Sequence, residues 1–287
     1  MYSEKYRFDN TKSVALKSLP TSSKPDGVSR EEIEELTQQN LLLMAELQEK
    51  LYADAREGLV VIFQALDAAG KDSTIKHVMG AMNPQGITVH SFKQPTASEL
   101  AHDYLWRASV SLPKRGEISI FNRSYYEDVL ITQVHNLQKS YRMPSRCIDD
   151  PDLFKKRYEQ IRHYEEYLYE NAIRVVKIFL NVSKEKQKER FLERLNIPEK
   201  NWKFSESDLQ ERHMFSTYHD VYAKVIEHTS TQHSPWYALP ADHKWYTCYL
   251  TSEVIIQVLK DINPVYPQLP AEQQARLDEC RLALENE

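Results

Sequence analysis

The chain has 287 residues, 41% of them hydrophobic and 28% charged, which is enough to bury a full α/β core and ordinary for a globular enzyme. Its net charge of −5 excludes a general nucleic-acid coat, so a site for a polyanion has to be locally basic. The three cysteines, Cys147, Cys248 and Cys280, are too far apart for a disulfide framework or a zinc site; no apolar run has membrane length and no signal-peptide core opens the chain, so a cytoplasmic protein with no membrane or nucleic-acid partner is expected.

Residues 1–28 are polar, carry Pro20 and Pro25, and read as an N-terminal arm rather than a core element. Ser29 and Glu32 form a capping-box pair that opens a helix over 29–56, with Ile33, Leu36, Leu43, Leu47 and Leu51 recurring at helical spacing. The pattern leaves open whether that helix packs on a sheet or on a second subunit.

The stretch Gly58 to Ile75 carries the strongest signal. Leu59, Val60, Val61, Ile62 and Phe63 form a short, β-branched apolar run typical of an interior parallel strand. Gly70-Lys71 follow, and Ser73 and Thr74 open an amphipathic helix with Ile75, Val78, Met79 and Met82 on its apolar side. A strand feeding a Gly-Lys turn and then a helix gathers free backbone N–H groups, the positive end of a helix dipole and a mobile cation, which together suit a phosphate. The fit to the G-x-x-x-x-G-K-[ST] pattern is imperfect, because Ala65 stands at the first glycine and Asp72 at the hydroxyl position. Asp67, inside the loop, offers a carboxylate for a metal or for orienting an attacking phosphate. An ordinary strand–turn–helix is the plainer reading, but only six glycines occur in the chain and one precedes a lysine at a strand end.

Gly86 to Phe92 reads as a second strand ending at Lys93, and a helix capped by Thr96 or Ser98 runs to Arg107. Lys93 and Arg107 lie near element ends, where α/β enzymes keep substrates, although either would serve as a solvated surface cation. Glu117 to Phe121 is a third strand, ending in Asn122-Arg123-Ser124-Tyr125-Tyr126-Glu127-Asp128. An amide, a guanidinium and two carboxylates thus crowd the end of an interior strand, at the place where P-loop enzymes keep their second metal-binding acid. Arg123 suits a bidentate phosphate contact. Residues 136–150 read as a loop, Asp152 to Asn171 as a long helix, and Ile173 to Leu180 as a fourth strand.

Ser183 caps a helix on which Lys186, Arg190 and Arg194 form a cationic stripe beside an acidic one of Glu185, Glu189 and Glu193. A turn with Trp202 and Lys203 leads to a further helix capped at Ser205, with Asp208 and Arg212. A salt-bridged solvated helix would explain the charges alone. Helix, turn and helix after the fourth strand is also how small P-loop kinases build a mobile lid, here 183–213. Pro235 to Pro240 is a fifth strand, a last helix follows Lys244, and residues 263–287 read as a surface tail.

Taken together, DAAGKDSTIKH (67–77), NPQG (83–86), HDYLWR (102–107), GEISIFNRSYYEDVL (116–130), RFLERL (190–195), NWKFSESDLQER (201–212) and TSTQHSPWYALPADHKW (229–245) resemble the polyphosphate kinase 2 family from about Leu51 to Asn263. The resemblance implies a thymidylate-kinase-like P-loop fold: three α/β/α layers, a central parallel sheet and a helical lid, with the core at 57–262. It implies phosphoryl transfer between inorganic polyphosphate and nucleotides, with Mg2+ or Mn2+ as cofactor and a homo-oligomer, dimer or tetramer, as the assembly. Glu127 after the Asn-Arg-Ser-Tyr-Tyr run looks like the class III members, which act on AMP and ADP; GMP and GDP are further candidate acceptors. Carried over by position, Asp67 resembles the Walker A aspartate and metal ligand, Lys71 the Walker A lysine, and Asn122 and Arg123 the Walker B pair. Asp67, Lys71, Arg123 and Glu127 are then the expected catalytic set, and Lys93, Arg107, Asn122, Tyr126 and Glu127 join Asp67 and Arg123 around the nucleotide. Ala68, Ala69, Gly70, Lys71, Asp72, Ser73, Thr74, Arg190, Arg194, Lys203 and Arg212 are expected around polyphosphate. His243 and Cys248 depart from the family pattern, which bears on nucleotide affinity or packing. An ATP-dependent nucleoside monophosphate kinase and a non-catalytic nucleotide-binding module are the alternatives.

Overall fold

The computed structural model describes residues 1–11, 14–22 and 27–287; Pro25 lies outside them. Its centre is β2 (Gly58–Ala65), every residue of which is buried. Two parallel neighbours bury its backbone edges: β4 (Ile118–Asn122), which sets Phe63 opposite Asn122, and β5 (Ile173–Asn181), which sets Ala65 opposite Leu180. With β3 (Ile87–Ser91), β6 (Trp236–Pro240) and β1 (Arg7–Phe8) the order among the described residues is β1-β6-β5-β2-β4-β3. Five strands are parallel, and β1 closes one edge antiparallel to β6.

The helices are α1 (Arg30–Asp54), α2 (Lys71–Met79), the short α3 (Trp106–Ser109), α4 (Ile131–His135) and α5 (Ser145–Ile148), then α6 (Leu153–Glu170), α7 (Lys184–Asn196), α8 (Ser207–His213), α9 (Phe215–Thr229), α10 (Lys244–Ile262) and α11 (Ala271–Glu285). The two-residue period of β2 divides its side chains between two cores. Leu59, Val61 and Phe63 pack with α1, α2 and α10, whereas Val60 and Ile62 pack with α6, α9 and the Tyr125–Leu130 segment. A strand buried on both faces needs helices on both faces, which gives the expected three layers.

Ser29 makes the expected capping box: its Oγ accepts from Glu32 N at 3.1 Å, and its own N–H donates to Glu32 Oε2 at 2.6 Å. Within the chain, helix α1 packs on α10 in the helical layer, with Leu41, Met44 and Leu51 buried. Four expected elements differ, the first being the loop expected over 136–150, which holds a 3-10 turn at Leu137–Ser140 and helix α5. Helix α2 begins at Lys71 rather than Ser73, because Gly70 takes the N-cap in a left-handed conformation and the Ser73 and Thr74 hydroxyls donate back to its carbonyl. The helix expected from Thr96 to Arg107 is broken: Thr96 and Glu99 cap a single turn, and then the Asp103 carboxylate accepts from Leu105 N at 2.9 Å and starts a new one. The N-terminal segment is part of the core rather than an arm; it supplies β1, its Tyr6, Phe8 and Leu16 are buried, and Ser3 N donates to the buried Glu253. The C-terminal tail is helical over α11 and exposed along its length except at Pro264. None of the described helices is long and apolar enough to cross a membrane.

Below β4 a charged pair is shut away from water. Lys177 on β5 donates to Glu165 on α6, and both side chains are fully buried. Glu165 Oε1 accepts from the Tyr125 and Tyr126 hydroxyls, each at 2.8 Å, and Oε2 accepts also from Ser234; Lys177 reaches Thr229 O as well. Removing one partner of such a pair strands the other charge, which costs about 3–5 kcal/mol, whereas removing both costs less. Lys177→Met should therefore lower unfolding stability by about that amount, and adding Glu165→Gln should restore part of it, read by denaturant or thermal unfolding.

Candidate active site

The loop after β2 is shaped by two left-handed residues, Ala68 (φ 59°) and Gly70 (φ 102°). They turn the chain sharply enough for α2 to start at Lys71, where the first-turn amides have no carbonyl of their own helix to bond. Gln187 Nε2 donates to Asp67 O at 2.9 Å and fixes the loop from α7. The loop after β4 turns equally sharply: Arg123 has φ 64°, a costly conformation for a side-chain-bearing residue, and its N–H is held by Phe63 O at 3.0 Å.

These turns bring the two strand tips into contact. Arg123 Nη2 donates to Asp67 Oδ1 at 2.9 Å, and Nη1 lies 3.6 Å from Glu127 Oε2. The carboxylate of Glu127, then that of Asp67, holds the Arg123 guanidinium well above its usual range. Asn122 Nδ2 donates to Asp72 Oδ1 at 2.9 Å. Lys71 is 9% exposed; burial and then Arg123 push its ammonium pKa down, while Asp67, Glu127 and Asp72 oppose the shift.

Two cavities share Leu66, Asp67 and Arg123 as a common wall. The larger, about 580 Å³, is lined by eight basic residues (Lys71, Lys93, Arg123, Arg190, Arg194, Lys200, Lys203 and Lys244) against three acidic ones (Asp67, Asp72 and Glu193). In a chain of net charge −5 this is the locally basic site that the composition required. The smaller, about 280 Å³, reverses the balance, with Arg123 facing Asp67, Glu127, Asp208 and Glu211, and the rings of Phe215, Tyr218 and Tyr222 on one wall.

Most of the expected residues meet here: Asp67, Ala68, Ala69, Gly70, Lys71, Asp72, Ser73, Lys93, Asn122, Arg123, Arg190, Arg194 and Lys203 line the basic cavity, so that Lys93 and Asn122, expected around the nucleotide, stand with the residues expected around polyphosphate, and Glu127 lines the second. Four line neither. The Thr74 hydroxyl is spent on Gly70 O. Tyr126 is fully buried with its hydroxyl on Glu165. Arg107 is 9% exposed, lies over the Phe92 ring and donates to Lys93 O at 2.9 Å, so it braces the loop after β3 from beneath. Arg212 is tied to Lys184 O and Gln187 Oε1, joining α8 to α7. The cationic stripe of α7 also breaks up, because Lys186 pairs with Glu189, Arg194 pairs with Asp208, and Arg190 is buried. Lys200 and Lys244 enter the basic cavity without having been expected there, as does Glu193 from the acidic stripe of α7, and Lys244 was findable, since it follows the end of β6 beside the other strand tips. Tyr218 and Tyr222 share one face of α9, but only the fold tells that face from an ordinary core stripe. At the departures from the family pattern, His243 stacks on Trp245, and burial pushes the Cys248 thiol up to about 11.

Residues 27–267 match the sequence profile of the polyphosphate kinase 2 family. The chain belongs to that family. It is 43% identical over 282 residues to the ADP-polyphosphate phosphotransferase of Rhodopseudomonas palustris, covering 98% of each chain. It is 42% identical over 225 residues to the AMP/ADP-polyphosphate phosphotransferase of Meiothermus ruber, covering 78% of this chain and 80% of the other. The crystal structure of polyphosphate kinase 2 from Arthrobacter aurescens superposes with a TM-score of 0.86 at 35% identity, covering 96% of each chain.

In this polyphosphate kinase 2 chain the two adjacent acids after β4 part company. Glu127 faces the second cavity, whereas Asp128 turns inward against Arg157 and the Tyr141 hydroxyl. Burial pushes the Asp128 carboxyl up to about 6 from 3.8, with Arg157 opposing the shift. The native state then keeps a proton that the unfolded chain releases, so stability falls as pH rises from about 4 to about 6 and is level above. The fall attributable to this group is about 3 kcal/mol. Asp128→Asn should flatten that part of the stability–pH profile, checked by denaturant unfolding at half-unit steps.

Proposed function

We propose that the chain transfers phosphoryl groups reversibly between inorganic polyphosphate and the phosphate of AMP or ADP. One observation carries the reading: the tips of β2 and β4 meet through the Asp67–Arg123 pair in the wall between a basic cavity and an aromatic, acidic one. The basic cavity takes the polyphosphate chain, whose negative charges the lysines and arginines neutralise. The nucleotide enters from the other side, with its base against Tyr218, Tyr222 and Phe215 and its phosphate at Arg123.

An oxygen of the acceptor phosphate attacks the terminal phosphorus of polyphosphate. The bond to the bridging oxygen breaks, and the donor leaves one unit shorter. Charge building on that bridging oxygen is met by Lys71 and the first-turn amides of α2, and Arg123 holds the acceptor in line. Asp67 suits magnesium, which commonly takes one or two carboxylates and completes its shell with substrate oxygens and water. Among the described residues no cluster of three or more acids, histidines or cysteines offers an all-protein cage. Bound there, magnesium or manganese would neutralise phosphate charge. Segment 183–213, which brings Arg194, Lys200 and Lys203 to the cavity rim, acts as the lid that keeps water from the reacting phosphate.

Asp67→Asn should lose nearly all turnover, by about 100-fold or more, while still folding, and Lys71→Ala should fail similarly. Chromatographic product analysis with AMP or ADP, magnesium, and polyphosphate or ATP as donor tests the reading. Turnover from ATP and none from polyphosphate would make the chain an ordinary nucleotide kinase instead.

A further inference from the structure

Arg190 stands on α7, and the family resemblance places it among the cations expected around polyphosphate. Its surroundings say otherwise. The side chain is 7% exposed. Nη1 donates to Ala68 O at 3.1 Å and Ala69 O at 2.6 Å, and Nη2 donates to Ala241 O at 2.7 Å and Asp242 O at 3.1 Å. All four partners are backbone carbonyls, two on the loop after β2 and two on the loop between β6 and α10. The phosphate loop is wrapped closely around this group: a Cβ at Gly70, where φ is already 102°, would lie 3.4 Å from Nη1. Each loop runs into a helix whose first residue is a cavity lysine, Lys71 for one and Lys244 for the other, two positions beyond the last gripped carbonyl. A peptide carbonyl and the next residue's N–H point in opposite directions, so drawing the Ala68 and Ala69 carbonyls toward Arg190 sets which way the following amides face.

We propose that Arg190 is a positioning residue, which staples the phosphate loop to the β6–α10 loop and so sets both walls of the basic cavity without itself contacting phosphate. The proposal rests on reading that cavity as the polyphosphate site. It separates the arginines of α7 by role: Arg194, at the rim, contributes charge, and Arg190 contributes the shape of the floor. The staple depends on the planar fork of guanidinium, because the single nitrogen of a lysine cannot span two pairs of carbonyls on separate loops.

The test uses full-length Arg190→Lys and Arg190→Met. Amide hydrogen exchange of the substrate-free protein is followed by mass spectrometry over 68–72 and 241–244, and polyphosphate-dependent turnover is measured alongside. Both variants should exchange faster in those two segments. Arg190→Lys, though it keeps the charge, should lose about 100-fold in kcat with the KM for polyphosphate within about threefold of wild type, as a misplaced loop predicts. A direct phosphate contact predicts retained kcat and a raised KM in Arg190→Lys. Either unchanged exchange or retained turnover in Arg190→Lys overturns the proposal. Should Arg190→Met fail to fold, the lysine variant decides alone. If the wild type turns over no polyphosphate, the functional reading falls while the exchange comparison still decides what Arg190 does.

Discussion

The contact between Asp67 and Arg123 is the constraint on which the site depends. The two residues are 56 positions apart in the chain, and each sits just past the end of a strand that a lone sequence motif would leave unplaced. Parallel pairing of β2 with β4, in a register that sets Phe63 beside Asn122, delivers both to one point. Their side chains are about one-third exposed, so the ion pair adds little to global stability. Its importance is geometric: it forms the partition at which a basic cavity and an aromatic, acidic one touch.

Two backbone turns in disfavoured conformations, at Ala68 and Arg123, hold that partition, and such turns persist only where the surroundings over-determine them. At Arg123 the support comes from below. The Tyr125 and Tyr126 hydroxyls share one oxygen of a carboxylate that Lys177 and Ser234 satisfy on the other side, so the turn carrying Glu127 is pinned to α6 and β5 together. At Ala68 the support comes from α7, through Gln187 and Arg190. Both halves of the site thus borrow their shape from buried polar groups on helices that follow β4 in the chain.

The same economy explains why several expected ligands are not in the cavities. Arg107 and Arg212 reach backbone carbonyls and Tyr126 reaches a buried carboxylate, while Arg190, though it lines the basic cavity, has both terminal nitrogens on backbone carbonyls. A sequence gives the charge of an arginine and its place on a helix, but not whether its donors are already taken. Lys93, Arg194 and Lys203, drawn from the same patterns, do line the basic cavity, and no feature of the one-dimensional pattern separates the two groups.

Local chemistry determined a good deal without the fold. The apolar run of β2 is continuous because both of its faces are covered; the Gly-Lys turn marks a phosphate site because amides, dipole and cation coincide there; and Ser29 with Glu32 announces α1, since a capping box is made within four residues. These are short-range effects, so they are written in neighbouring residues. Tertiary structure alone decided that the N-terminal segment completes the sheet as β1, that α1 belongs to the helical layer over α10, that Lys200 joins the basic cavity, and which arginines brace loops rather than face solvent. Each of those depends on contacts between segments tens to hundreds of residues apart, where burial and hydrogen-bond satisfaction, and not residue type, choose the partner.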